Sequence, residues 1–227
     1  MLAHPQDNRI INQTVRRPDA SIISSIGRLY TGFVLDRMSK QGAMIPAIRP
    51  LSAGMKLFGP CVTCAGPDLS VRNLAINLAQ QGDILVVAAG GSETRSCFGD
   101  STAQWMQLKG LGGVIIDGMT RDAAGIRRLG FPTFCRGATA RNFAYPQEPS
   151  VGAINVPVIC GGQLVRPGDV ALADDDGVLI IPAEIAEAAA GRWEAELMAE
   201  ERDLRSRSSF EELPGREDLV GRGFVFR

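Results

Sequence analysis

Gly99–Gly130 reads GDSTAQWMQLKGLGGVIIDGMTRDAAGIRRLG, and its punctuation decides the fold. Asp100 and Ser101 open an amphipathic segment that Lys109-Gly110 close. A run of β-formers, Gly113–Asp117, leads to a tight Gly118-Met119-Thr120 corner. Arg121-Asp122 then start a short helix that stops at Gly130, just before Pro132. Asp or Ser at a helix start and Gly at its end are the expected signals. Upstream, Ile84–Ala88 is a second β-run, joined to Gly99 by a loop with paired glycines. Strand–helix–strand–helix at this spacing implies parallel strands joined by right-handed crossovers. Both strand-to-helix loops then emerge at the carboxyl edge of the sheet, where open α/β sheets bind ligands. Asp100, Arg121 and Asp122 are thereby expected to face one small cleft.

Working outward, the N-terminal residues 1–20 read as a polar arm or a leading helix, with the chain's single histidine, His4, in a loose stretch of it. Ser21–Met38 has helical apolar spacing broken near Gly27 and Gly32, and Met44–Pro50 and Met55–Ala65 read as strands. Asp68 is placed to cap a helix that runs to Gln80. Beyond Gly130, Thr133–Arg141 reads as strand plus loop, and 142–150, with Pro146 and Pro149, as an exposed excursion. From Val151 the pattern is β throughout, with a Cys160-Gly161-Gly162 turn and a hairpin at Asp176-Gly177. Ala183–Arg207 is a long helix on which Trp193, Leu197 and Leu204 form a seam, with Glu200 in the middle of it. The expectation is an α/β fold with a mixed sheet and a long C-terminal helix. The domain would span 21–207, followed by a tail over 208–227.

Composition bounds the function. The 227 residues carry a net charge of −1, which leaves no basic excess to neutralise nucleic-acid phosphates. No apolar run is long enough to span a membrane, and no hydrophobic core of a signal peptide opens the chain. Cytoplasm, with reduced thiols, is the expected compartment. Of the five cysteines, Cys61 and Cys64 have CxxC spacing inside a strand, where positions three apart point to opposite faces and cannot share a metal. Core thiols are expected. Three adjacent aspartates, Asp174–Asp176, sit at a hairpin tip and read as a solvated turn. Of the three lysines, Lys40, Lys56 and Lys109, none lies in a desolvated strand, so Schiff-base chemistry lacks a candidate. With one histidine in an arm, histidine catalysis is all but excluded.

Asp100, Arg121 and Asp122 remain. Two carboxylates suit a hard cation such as Mg²⁺ that keeps several waters, and an arginine beside a helix start suits a small carboxylate. A surface arginine next to a capping aspartate would give the same letters.

The stretches Gly99-Asp100, GGVIIDGMTRD (Gly112–Asp122) and Gly130–Pro132 resemble the class II pyruvate aldolases, in particular the 4-hydroxy-4-methyl-2-oxoglutarate / 4-carboxy-4-hydroxy-2-oxoadipate aldolases. These share a fold with the regulator of ribonuclease activity A proteins. The runs NVPVICGG from Asn155 and ADDDGV from Ala173 are similar as well. The resemblance implies a swivelling β/β/α-type domain assembled as a homotrimer or hexamer. It implies Mg²⁺ (or Mn²⁺) ligated by Asp122, with Asp100 holding its waters. Arg121 would bind the carboxylate of a 2-oxo acid, and Gly99, Asp100, Ser101 and Thr102 would contact that substrate. A glutamate from a neighbouring subunit's C-terminal helix, matched here by Glu200 (with Glu201 or Glu196 as alternatives), would also reach the metal through water. The implied reaction is retro-aldol cleavage of a 4-hydroxy-2-oxo diacid to pyruvate through a metal-stabilised pyruvate enolate, with oxaloacetate decarboxylation alongside. The competing expectation is a non-catalytic ribonuclease-regulator-like binding protein; that branch lacks the metal-binding aspartate, so Asp122 favours the enzyme.

Overall fold

A computed structural model describes residues 9–143, 152–208 and 215–225. In chain order the elements are α1 (Ala20–Gly27), α2 (Thr31–Arg37), β1 (Arg49–Pro50), β2 (Leu57–Ala65), α3 (Leu69–Leu78), β3 (Ile84–Ala88) and β4 (Ser96–Phe98). There follow α4 (Asp100–Leu108), β5 (Gly113–Thr120), α5 (Ala123–Leu129), β6 (Thr133–Ala138), β7 (Ala153–Ile154), β8 (Val158–Cys160) and β9 (Gln163–Val165). The last are β10 (Val170–Asp174), β11 (Gly177–Ile181), α6 (Ala183–Ser206) and α7 (Arg216–Gly221). Residues up to Glu194 form one compact unit, and those from Ala195 onward a second.

The first unit is organised by four adjacent parallel strands in the order β6-β5-β3-β2. Antiparallel strands extend the sheet at both ends, β1 beside β6 and the β10–β11 hairpin beside β2. The end strands β1 and β11 come into contact, so the mixed sheet nearly closes on itself. The central strands are continuously apolar because both faces are covered. Leu85, Val87, Val114 and Ile116 enter one core with Ala75, Met106 and Ile126 of the helices α3, α4 and α5. Ile84, Val86 and Ile115 enter the other, with Val158, Val165 and Ile180 of the later strands. Cys64 belongs to the first core and Cys61 to the second, the opposite facing that a period of two requires. All five thiols are buried and free.

Several expectations need correction. Only Arg49–Pro50 of the stretch Met44–Pro50 is a strand. Met44 and Ile45 instead donate their amides to Val178 and Gly161, and Pro46 has no N–H to continue a ladder. The supposed corner Gly118-Met119-Thr120 is the last part of β5. It is held extended by β4, a three-residue strand too short to show a period in the sequence. The arm is no loose extension over its described part: the Asn12 amide donates to the Ile154 carbonyl and the Ile154 amide to the Ile10 carbonyl, and Arg17 makes a bidentate pair with buried Asp83 at 2.8 and 2.7 Å. His4 and most of the 142–150 excursion lie outside the described residues. On α6, Trp193 is buried but Leu204 is exposed, so the expected seam stops short of it. Glu200, expected on that seam, is exposed. The aspartate run is the expected turn: Asp174 accepts from the Thr31 amide and hydroxyl, and Asp175 from the Gly54 amide. Among the described residues, no helix is long and apolar enough to cross a membrane.

Candidate active site

The carboxyl ends of the parallel strands supply the site. After β2 the chain turns through Gly66-Pro67 to Asp68, whose carboxylate accepts from the Ser70 and Val71 amides at 2.9 and 3.1 Å and starts α3. After β4 it passes Gly99 and enters α4 at Asp100, and after β5 it reaches Arg121 and Asp122 before entering α5. The ends of β4 and β5 are tied together: the Arg121 amide and the Thr120 hydroxyl both donate to the Phe98 carbonyl, at 2.9 and 3.0 Å.

Between these loops lies a cavity of about 170 Å³. Gly99, Ser101, Thr102, Arg121 and Asp122, five of the residues singled out from sequence, line it. Asp100 is not among its lining residues; its carboxylate packs against Gly125 of α5, where any Cβ would collide with it. A Cβ at Gly99 would likewise come within 2.7 Å of Asp122 Oδ2 and displace that carboxylate. Two glycines thus leave room for two carboxylates at the facing starts of α4 and α5.

Neither carboxylate caps its helix, contrary to the expected punctuation. Gly99 occupies the cap position of α4, and Asp122 that of α5 without any side-chain bond to the helix amides. The reason is backbone geometry. A capping aspartate reaches the helix amides from extended backbone, whereas Asp122 is left-handed at φ 54°, ψ 34°. A non-glycine residue there is strained, and such strain clusters at functional sites. Asp122 Oδ2 lies 3.2 Å from Arg121 Nε, and both side chains are about half exposed. The donor set fits a divalent cation such as Mg²⁺ or Mn²⁺: hard carboxylate oxygens, few in number, with space for waters. Among the described residues no group of three or more His, Cys, Asp or Glu side chains converges, so a metal here would depend on water or another subunit for the rest of its shell. Glu200 and its alternatives Glu196 and Glu201 belong to the second compact unit.

Sequence reasoning missed Arg72. It lies on α3 and lines the cavity, yet is only 5% exposed. Burial pushes its pKa down, with the positive charge of Arg121 adding to the effect. Its spacing held a signal: Arg72, Ala75, Ile76 and Ala79 fall on one helical stripe, and a cation heading an apolar stripe needs an explanation. Asn142 and Phe143 complete the rim. Cys97 also lines the cavity, but burial pushes its thiol up to about 11, so it is protonated at neutral pH and a poor nucleophile.

Known proteins resemble this chain over the region that holds the site. Residues 31–180 match the RraA-like family, described as Aldolase/RraA. A relative in Halalkalibacterium halodurans, named putative 4-hydroxy-4-methyl-2-oxoglutarate aldolase, is 34% identical over 167 residues, 72% of this chain and 78% of the relative. The crystal structure of RraAS2 from Streptomyces coelicolor, titled an unusual member of the RNase ES inhibitor RraA protein family, superposes with a TM-score of 0.73 at 30% identity. That match covers 86% of this chain and 100% of the other. The RNA-processing inhibitor RraA from Thermus thermophilis gives 0.60 at 26% identity, over 68% of this chain and 93% of its own. A match that takes in Gly99, Asp100, Arg121 and Asp122 and most of the sheet places the chain in the Aldolase/RraA family.

Proposed function

We propose that the protein is a divalent-metal-dependent lyase that cleaves a 4-hydroxy-2-oxo diacid to pyruvate and a second oxo acid, with decarboxylation of oxaloacetate as a side activity. The observation that carries this reading is Asp122: a strained, uncapped, half-exposed carboxylate beside an arginine at the mouth of a cavity. An aspartate kept only for helix capping would have no reason to adopt that backbone. The name of the Halalkalibacterium relative supports the same reaction class.

Retro-aldol cleavage removes the proton of the 4-hydroxyl, breaks the C3–C4 bond and leaves its electron pair on the pyruvyl fragment. A divalent ion held by Asp122, with Asp100 bonded to its waters, would supply Lewis-acid stabilisation of the charge that develops on the 2-oxo oxygen. Arg121 presents a guanidinium fork suited to a bidentate grip on the neighbouring carboxylate. The first amides of α4, from Gly99 to Thr102, have no partners within the helix, and Gly99, Ser101 and Thr102 line the cavity. Decarboxylation of oxaloacetate leaves the same electron pair on the same fragment, so one binding geometry serves both. On this reading the protein is a cytoplasmic homotrimer or hexamer in which Glu200 of a neighbouring subunit completes the shell.

The RraAS2 likeness favours a second reading, a ribonuclease-regulator-like binding protein without catalysis. A lyase assay on 4-hydroxy-2-oxo diacids and oxaloacetate, with Mg²⁺ or with EDTA, separates the two. Pyruvate release that requires the metal is expected; no release from any of these acids in Mg²⁺ would leave the binder.

A further inference from the structure

The chemistry above gives Arg72 no role, yet burying a guanidinium is costly. Its side chain is buried, its Nε is without a hydrogen-bond partner, and no ion pair joins it to a carboxylate among the described residues. Asp68, one helical turn back, accepts the Ser70 and Val71 amides on Oδ1, and its charge favours the guanidinium from a distance without forming an ion pair with it. Arg72 Nη2 donates to Thr102 Oγ1 over a long 3.4 Å. The Phe98 ring, 6.0 Å from the guanidinium carbon, offers weak compensation at best. A buried charge is retained only where something pairs with it. Arg72 also shares its cavity with Arg121, so two like charges converge on one space. An anion that bridges them would relieve both problems.

We propose that Arg72 is a specificity-determining residue: it takes the distal carboxylate of a dicarboxylic 2-oxo acid whose pyruvyl carboxylate is held by Arg121. This rests on the reading of the cavity as a 2-oxo acid site and adds which acids it selects. Size agrees. Cavities of about 150 Å³ accept a benzene-sized guest, and the space here is about 170 Å³, enough for a small diacid. The polarity is also suited to a dianion: guanidiniums at two points of the wall, with the Ser101 and Thr102 hydroxyls between helix starts. The product of cleavage at the distal end is then itself an acid, so the reaction that consumes it must accept a carboxylate-bearing fragment.

The test uses two ligands that cannot be cleaved and differ only at the far end. 2-Oxoglutarate ends in a carboxylate, and 2-oxopentanoate ends in a methyl. Calorimetric titration of the full chain, with and without Mg²⁺, is expected to show a preference of about tenfold or more for 2-oxoglutarate, the usual worth of a hydrogen bond to a charged group. Arg72→Met should bring 2-oxoglutarate down to the level of 2-oxopentanoate and leave the latter within about twofold. Its melting temperature without ligand should equal or exceed that of the wild type, since an unpaired buried charge has been removed; a purely structural arginine would lower it. Arg72→Gln makes the same distinction if the methionine variant does not fold. Equal binding of both acids by the wild type, or an undiminished preference in a folded Arg72 variant, overturns the assignment of Arg72 alone. If the wild type binds neither acid in either buffer, the 2-oxo acid site itself fails, and this inference with it.

Discussion

Two aspartate–arginine pairs flank the exit of β5, and they are built to opposite ends. Asp117 lies inside the strand with a side chain 10% exposed, and both of its oxygens are engaged. Oδ1 accepts from Arg136 Nε at 2.7 Å and Oδ2 from the Gly161 amide at 3.0 Å, while Arg136 turns a second nitrogen to Glu93. Asp122, just past the strand, is 44% exposed, strained, and joined to Arg121 through one nitrogen at 3.2 Å. The first pair ties the β8–β9 turn to the central sheet, with both carboxylate oxygens bonded within the protein. The second contributes little to folding and has capacity to spare. A carboxylate's contacts, more than its presence, tell structure from function.

The comparison breaks most visibly on turnover. Asp122→Ala should reduce pyruvate release by at least about a thousandfold, the effect of losing several kcal/mol of transition-state charge stabilisation. Its melting temperature should stay near that of the wild type, because no cap or buried bond is lost. Steady-state kinetics beside a thermal melt checks both halves, and retained activity would remove Asp122 from the metal site. Asp117→Asn should do the reverse. Breaking a buried pair from one side costs about 3 kcal/mol, read as a lower urea midpoint with activity per folded molecule preserved. A stable Asp117→Asn that lost turnover would invert the assignment of the two pairs.

The sheet edge that holds the exposed pair was legible beforehand; the difference between the two pairs was not. Strands with both faces buried and helices stopped by glycine identified β3, β5, α4 and α5, and they brought Arg121 and Asp122 to one sheet edge. The conformation of Asp122 was not legible, because letters report which residues tolerate left-handed backbone and not where it occurs. β4 was hidden by its length, since three residues cannot display a period of two. Arg72 left one signal, its place at the head of an apolar stripe, and the leucines and asparagines around it on α3 masked that signal until packing fixed the helix phase. Glu200 shows the converse. It was placed on a seam by spacing, and exposure on α6 removes the cost that made it conspicuous.

Arg121 tests the exposed pair more finely. Replacing it with lysine keeps the charge but turns a two-pronged grip into a point contact. The expected result is a rise in KM for the diacid of about tenfold, the worth of one charge-assisted bond, with thermal stability unchanged. Unchanged kinetics would take Arg121 out of the site and leave its nearness to Asp122 as a surface pair of little worth.

The smallest effect concerns the strain itself. The left-handed region costs a non-glycine residue roughly 1–2 kcal/mol, and glycine gives back roughly 0.5–1 kcal/mol through the greater freedom of the unfolded chain. Asp122→Gly should therefore stabilise the metal-free protein by up to about 1.5 kcal/mol, measurable as a higher urea midpoint in EDTA. Adding Mg²⁺ should narrow or reverse the gap, because only the wild type gains stability by binding the ion in its native state. If the glycine variant were less stable in EDTA, the Asp122 carboxylate would be holding the fold together much as Asp117 does. Its strained backbone would then have no functional reading, and the contrast between the two pairs would be one of degree.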